Sequence, residues 1–108
     1  MATIDKSRPL TTLINVFTVE PANQQKLVDV LVDATEQTMK QMPGFVSASI
    51  HKSVDGKRVI NYAQWRSSAD FQAMTRNEQA RPHMEAAAKL ATFEPILCSV
   101  EESIALDD

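Results

Sequence analysis

A chain of 108 residues suits a single domain spanning 1–108, which at this size buries roughly two thirds of its unfolded surface and folds without disulfides or a structural metal. Its 11 basic and 14 acidic residues give a net charge of −3 with no basic run, which argues against nucleic acid as a partner. The only cysteine, Cys98, has no internal partner, no signal-peptide core opens the chain, and no apolar run nears the roughly 18 residues of a membrane span, so a cytoplasmic protein without a membrane partner is expected.

Met1 to Pro9 reads as a loose N-terminal arm. Leu10 to Val19 is rich in β-branched residues and reads as a strand, with Leu13, Asn15 and Phe17 on one side and Ile14 and Val16 on the other. Pro21 suits the first turn of a helix, and Leu27, Val30, Leu31, Ala34 and Thr38 follow at helical spacing until Pro43 and Gly44 end it. Phe45–Ser53 and Arg58–Arg66 read as two strands joined across Val54, Asp55 and Gly56.

The register of that hairpin is open. A two-residue Asp-Gly turn puts His51 on the face opposite Asn61 and Trp65, whereas a three-residue loop ending in a left-handed Gly56 puts all three on one face. Ser67 and Asp70 have capping-box spacing, with Asp in place of Glu or Gln, and start a short helix carrying Phe71 and Met74. Pro82 marks another helix start, with Met84, Ala87, Ala88 and Ala91 as a small-residue face, and Glu94 to Ile104 alternates as a last strand.

The order βαββαβ predicts an α+β, ferredoxin-like fold: a four-stranded antiparallel sheet with its helices on one face. The bare face would then carry Ile14, Val16, Val46, Ala48, Ile50, Ile60 and Tyr62, a patch best buried against a second copy, so a homodimer is expected. There is no phosphate loop, no Cys-x-x-Cys pair and no His-x-x-x-His spacing, which leaves nucleotide, zinc and disulfide-redox chemistry without support. Attention falls instead on Asn61-Tyr62-Ala63-Gln64-Trp65. Asn61 and Trp65 share a face, and an asparagine facing a helix-covered core needs partners, either a structural network or a bound carbonyl or phenol. Arg81, just before Pro82, would stand at the mouth of the space between helix and sheet, and Met39, Met42, Met74 and Met84 could pack an adaptable apolar wall.

These residues, with Pro-Gly-Phe at 43–45, PGFVSASIHKSVDG and VINYAQW, carry a resemblance over nearly the whole chain to the antibiotic biosynthesis monooxygenase family of dimeric α+β barrel proteins. The chain looks most like the quinone-forming enzymes of aromatic polyketide pathways. That resemblance implies oxidation of an anthrone-like or phenolic aromatic substrate by dioxygen with no cofactor, neither metal nor flavin. It also implies catalytic roles for Asn61, Trp65, Arg81 and His51: Asn61 and Trp65 holding the substrate's oxygens, Arg81 and His51 assisting proton transfer or orientation. Asn15, Phe17, Phe71, Met74 and Met84 would line the substrate pocket. In one respect the chain departs from those relatives, since Phe71 stands where they carry a tyrosine. Two alternatives accompany this reading: haem degradation, suggested by Asn15 and His83 with Met74 at a position where haem-degrading relatives have tryptophan, and a non-catalytic dimeric module binding a small aromatic metabolite.

Overall fold

The structure is a computed structural model that describes residues 2–106. Strand β1 (Thr11–Val19) leads through a 3-10 turn (Pro21–Asn23) into helix α1 (Gln24–Gln37). A second 3-10 turn (Met39–Gln41) precedes strands β2 (Phe45–Lys52) and β3 (Arg58–Trp65). Helices α2 (Ser68–Thr75) and α3 (Arg81–Leu90) follow, and strand β4 (Ala91–Cys98) completes the sheet. The strand order is β2-β3-β1-β4, all antiparallel, which is the expected ferredoxin-like arrangement.

Alternation along β1 works as the sequence indicates. Leu13 and Phe17 point under the helices and are 4% exposed, with Asn15 between them. Their partners on β3 are Ala63, Asn61 and Val59, and on β4 Leu97, Pro95 and Phe93. The buried apolar residues divide into two clusters. One gathers Leu13, Met42, Ala63, Trp65, Phe71, Met74 and Ala80, the other Phe17, Val19, Leu27, Val59 and Ala87. The asparagine pair falls on the line between them.

Strand β2 departs from simple alternation. Phe45 pairs with Trp65 but Ser47 already pairs with Gln64, so Val46 is a bulge that inserts one extra residue. From there onward every side chain is reversed relative to an unbroken strand: Ala48 pairs with Ala63 and Ile50 with Asn61 beneath the helices, while Ser47, Ser49 and His51 join the bare face. The expectation that Ala48 and Ile50 belong to the bare face is therefore corrected. The hairpin follows the register of the two-residue turn, with His51 opposite Ile60, although it closes as a wider loop in which Ser53 N–H donates to Arg58 O and Gly56 takes φ +82°.

The bare face thus carries Ile14, Val16, Ile60, Tyr62 and Ile96 between a serine-histidine edge on β2 and Glu94 on β4. At one end the N-terminal arm returns to it: Gln64 Nε2 donates to Thr3 O at 2.7 Å and Gln64 Oε1 accepts from Ser47 Oγ at 2.8 Å. The last strand is shorter and earlier than its alternation suggests, because among the described residues it pairs with β1 alone, from Ala91 opposite Val19 to Cys98 opposite Thr12. Beyond Cys98 no neighbour remains to hydrogen-bond a strand, and Ala91, expected on the helix, begins β4 instead.

The junction before α2 locks the end of the sheet to the helical layer. Ser67 Oγ accepts from Asp70 N–H at 3.1 Å, and the Asp70 carboxylate accepts from Ser67 Oγ and, bidentately, from Arg66 Nε and Nη2 at 2.8 and 2.9 Å. Gly44 lies against this carboxylate with φ +85°, and Arg66 N–H donates to its carbonyl at 2.7 Å. Gly44→Ala would force Cβ into the Asp70 side chain in a left-handed conformation, so it should cost about 2–4 kcal/mol in urea unfolding. Hydrogen bonds from Arg66 first, and then Ser67, hold the Asp70 carboxyl below the ordinary carboxylate range. A depressed carboxyl stabilises fully above that range and ceases to do so as pH falls below it and through the group's own lowered pKa, so Asp70→Asn should lose part of the wild type's acid-side stability change, measured as unfolding midpoint against pH.

Candidate active site

Between the helical layer and the sheet lies a half-open cavity of about 140 Å³. It occupies the gap between the two apolar clusters and takes lining from both, Leu13, Trp65, Phe71 and Met74 from one and Phe17 and Ala87 from the other. Trp65 forms its most rigid wall. The indole is 2% exposed, packs edge-on against Phe45 at 5.5 Å and against Phe71 at 6.1 Å, and its ring N–H makes no hydrogen bond among the described residues. Phe17 stacks at a tilt on Phe93 from the edge strand at 5.5 Å.

The sheet contributes the polar floor. Asn15 and Asn61 are direct partners across β1 and β3, so their side chains rise side by side with Cβ atoms about 5 Å apart, and both line the cavity. The Oδ1 atoms of both are buried and lack any hydrogen-bond partner among the described residues. A buried acceptor left unpaired costs about 1–3 kcal/mol, and two adjacent ones are not explained by folding. A ligand that donates hydrogen bonds would satisfy both.

An amide offers one acceptor and two donor hydrogens, so the pair can accept from phenolic O–H groups and donate to a carbonyl or enolate oxygen. The walls are carbon-rich and flat where Trp65, Phe71 and Phe93 contribute, a setting for a planar aromatic body.

Of the residues expected at the site, Asn61, Trp65, Asn15, Phe17, Phe71, Met74 and Met84 all line this one cavity. His51 does not. The hairpin register, that of the two-residue turn, puts it on the bare face opposite Ile60, where it is exposed, so the expected grouping of His51 with Asn61 and Trp65 is corrected. Arg81 is the first residue of α3, exposed and outside the lining, because the helix turns its N-terminal side chains toward solvent there. Met39 lines the cavity as expected, while Met42 is buried in the neighbouring cluster.

His83 belongs to the cavity, and the sequence points to it only through the haem alternative. It stands 2.9 Å by Nε2 from Thr38 Oγ1, at the end of α1, in a hydrogen bond that either partner can donate. Its position was readable: His83 is three residues after Ala80 and four before Ala87, both buried, and so sits on the stripe of α3 that faces inward. Among the described residues no cluster of three metal-ligating side chains occurs, and no helix is long and apolar enough to cross a membrane.

If the two amide oxygens await a ligand, replacing either with an apolar group of similar size should stabilise the empty protein. Asn15→Leu and Asn61→Leu are each expected to raise the unfolding free energy by about 1 kcal/mol while weakening binding of a hydroxylated aromatic. Denaturant melts and a ligand titration on the same samples check both halves; a destabilised Leu variant would mean that the amides are satisfied structurally.

Comparison with known proteins agrees with this geometry. Residues 11–90 match the family model for antibiotic biosynthesis monooxygenase. The tetracenomycin-F1 monooxygenase of Streptomyces glaucescens is 50% identical over 103 residues, covering 95% of this chain and 92% of that protein. A monooxygenase from the gene ActVA-Orf6 of Streptomyces coelicolor, solved in complex with the ligand nanaomycin D, superposes with a TM-score of 0.84 at 27% identity over 94% of this chain and 96% of that one. SnoaB, a cofactor-independent oxygenase from Streptomyces nogalater, shares the fold with a TM-score of 0.73 at 23% identity, over 89% of this chain and 97% of that one. With the fold, the matched span and a relative this similar in agreement, the chain belongs to the antibiotic biosynthesis monooxygenase family and is an enzyme of the monooxygenase class.

Proposed function

We propose that this enzyme is a cofactor-independent monooxygenase that oxidises a phenolic or anthrone-like polycyclic aromatic to a quinone with dioxygen. The observation that carries the reading is the pair of buried, unpartnered carbonyl oxygens of Asn15 and Asn61 on the floor of an aromatic-walled cavity. A hydroxylated, fused-ring substrate supplies what both parts of the site lack, hydrogen-bond donors for the amides and flat apolar surface for Trp65 and Phe71. The named activity of the tetracenomycin-F1 relative and the nanaomycin D bound by the Streptomyces coelicolor enzyme support a polycyclic aromatic of the same general kind.

In this site Asn61 and the Trp65 indole N–H stabilise negative charge on the substrate oxygen as the enolate forms, an electrostatic role worth most where water is excluded. Asn15 shares the orienting work from the adjacent strand. The enolate then reacts directly with dioxygen, with no resident metal or flavin. Phe71 contributes a wall and no hydroxyl.

Oxygen uptake by metal-free and flavin-free protein supplied with an anthrone measures this activity. Turnover is expected in the wild type, and the Asn61→Ala, Trp65→Phe double variant should lose at least about 100-fold in kcat/KM. Equal rates in the two proteins would sink the reading, and a shifted Soret band on adding haem would favour haem degradation over it.

We infer further that the whole chain forms one domain and acts as a homodimer through the bare face of its sheet. Ile14, Val16, Ile60, Tyr62 and Ile96 form a contiguous apolar centre there, and a symmetric pairing would bury it. Sedimentation equilibrium should give twice the 12.0 kDa chain mass, and Ile60→Asp should return the monomer; a wild-type monomer at micromolar concentration would contradict the assignment.

A further inference from the structure

The proposed reaction starts with removal of a proton from substrate, and the cavity holds few groups able to take it. Amides do not titrate, so Asn15 and Asn61 orient without accepting a proton outright. The two hydroxyls in the lining are committed to helix backbone: Thr35 Oγ1 donates to Leu31 O at 2.8 Å and Thr75 Oγ1 to Gln72 O at 2.7 Å. Phe71 and Trp65 offer ring faces. Among the described residues no aspartate, glutamate, lysine, arginine, tyrosine or cysteine from any element lines the cavity; one titratable side chain does, and it is His83.

The charged groups of the elements around His83 lie outside. On α3, Arg81 and Glu85 are exposed, and Glu36 near the end of α1 pairs with Lys40 of the 3-10 turn that follows, at 3.2 Å on the surface. The ring is anchored by Thr38, which does not line the cavity. When Nε2–H donates to Thr38 Oγ1, Nδ1 carries the free lone pair, which is the tautomer a base requires.

We propose that His83 is the general base of this site, taking the proton of a phenolic or anthrone-like substrate and returning it to the peroxide formed with dioxygen. This rests on the oxygenase reading above. Proton transfer from substrate to imidazole leaves the enolate. Dioxygen accepts electrons from the enolate and bonds to its carbon, and the imidazolium protonates the resulting peroxide. Loss of the remaining hydrogen from that carbon, with cleavage of the O–O bond, releases water and leaves a carbonyl. In sum a ring methylene and dioxygen become a ketone and water: the carbon loses four electrons and dioxygen gains them. Thr38 acts as a positioning residue through the ring.

The test uses dihydroxyanthrone for oxygen uptake and a dihydroxyanthraquinone, whose phenolate absorbs to the red of the phenol, for binding. His83→Gln keeps a hydrogen-bonding group for Thr38. It should lower kcat by at least about 100-fold with KM little changed, abolish the acid limb of the pH–rate profile and suppress the phenolate band of the bound anthraquinone. Imidazole in solution should restore part of the activity of His83→Ala, and Thr38→Val should show a smaller loss of kcat. A His83→Gln enzyme with wild-type kcat and an intact acid limb, or with an undiminished phenolate band, overturns the proposal. Failure of the wild type to consume oxygen overturns the oxygenase reading alone, since the phenolate band needs no oxygen and still decides for or against His83.

Discussion

The pairing of β1 between β3 and β4 is the constraint on which the rest of the molecule depends. Because side chains alternate strictly, the register that places Leu13 opposite Ala63 and Phe17 opposite Val59 also forces Asn15 to face Asn61. One residue of slip would carry the whole apolar row to the other side of the sheet, so the hydrophobic core itself holds the two amides together beneath the helices. The site is therefore no appendage on a finished fold. It is the one place where the row that builds the core changes from carbon to amide, and the core separates into two clusters there.

That separation links stability to function. A closely packed interior leaves few voids larger than water, whereas here about 140 Å³ stays open next to two unpaired acceptors. The protein gives up packing and hydrogen-bond energy there, and under the proposed function a ligand of matching chemistry would recover both. The rigid frame around the gap comes from elements that do not touch the ligand. Asp70 ties Arg66 and Ser67 at the exit of β3 and seats against Gly44 at the entry of β2, which holds the two ends of that strand pair, and with them Phe45 and Trp65, in place.

The two faces of the sheet have separate chemistries for the same geometric reason. Gln64 and Tyr62 lie between Ala63, Trp65 and Asn61 in sequence but on the opposite side, where the nitrogen and oxygen of the Gln64 amide each have a partner, in the N-terminal arm and in Ser47. Gln64 and Asn61 are both carboxamides on one strand, and only the one beneath the helices is left open. His51 and His83 form a similar contrast. One is exposed on the bare face and the other faces the cavity, a difference set by the hairpin register in one case and by the inward stripe of a helix in the other.

The amino-acid sequence by itself determined the element order, the ferredoxin-like sheet, the family, and the residues of β1, β3 and α2 that meet in the cavity. The family rests on the resemblance carried by Pro-Gly-Phe at 43–45 and Asn-Tyr-Ala-Gln-Trp at 61–65; the elements and their faces rest on periodicities of two and 3.6 residues and on local capping, which need no knowledge of distant contacts. Tertiary structure decided the rest. The bulge at Val46 exists because Phe45 and Ile50 both gain by burial beneath the helices, and no unbroken strand puts residues five apart on one face. The hairpin register, with His51 opposite Ile60 and Ile50 opposite Asn61, keeps His51 out of the site and holds Ala48 and Ile50 off the bare face, and the bulge lets Phe45 share their side. The end of β4 was likewise decided by where β1 runs out of hydrogen-bonding groups, and Arg81's exclusion by how α3 seats on the sheet. Each of these depends on a partner far away in sequence, which alternation within a segment does not encode.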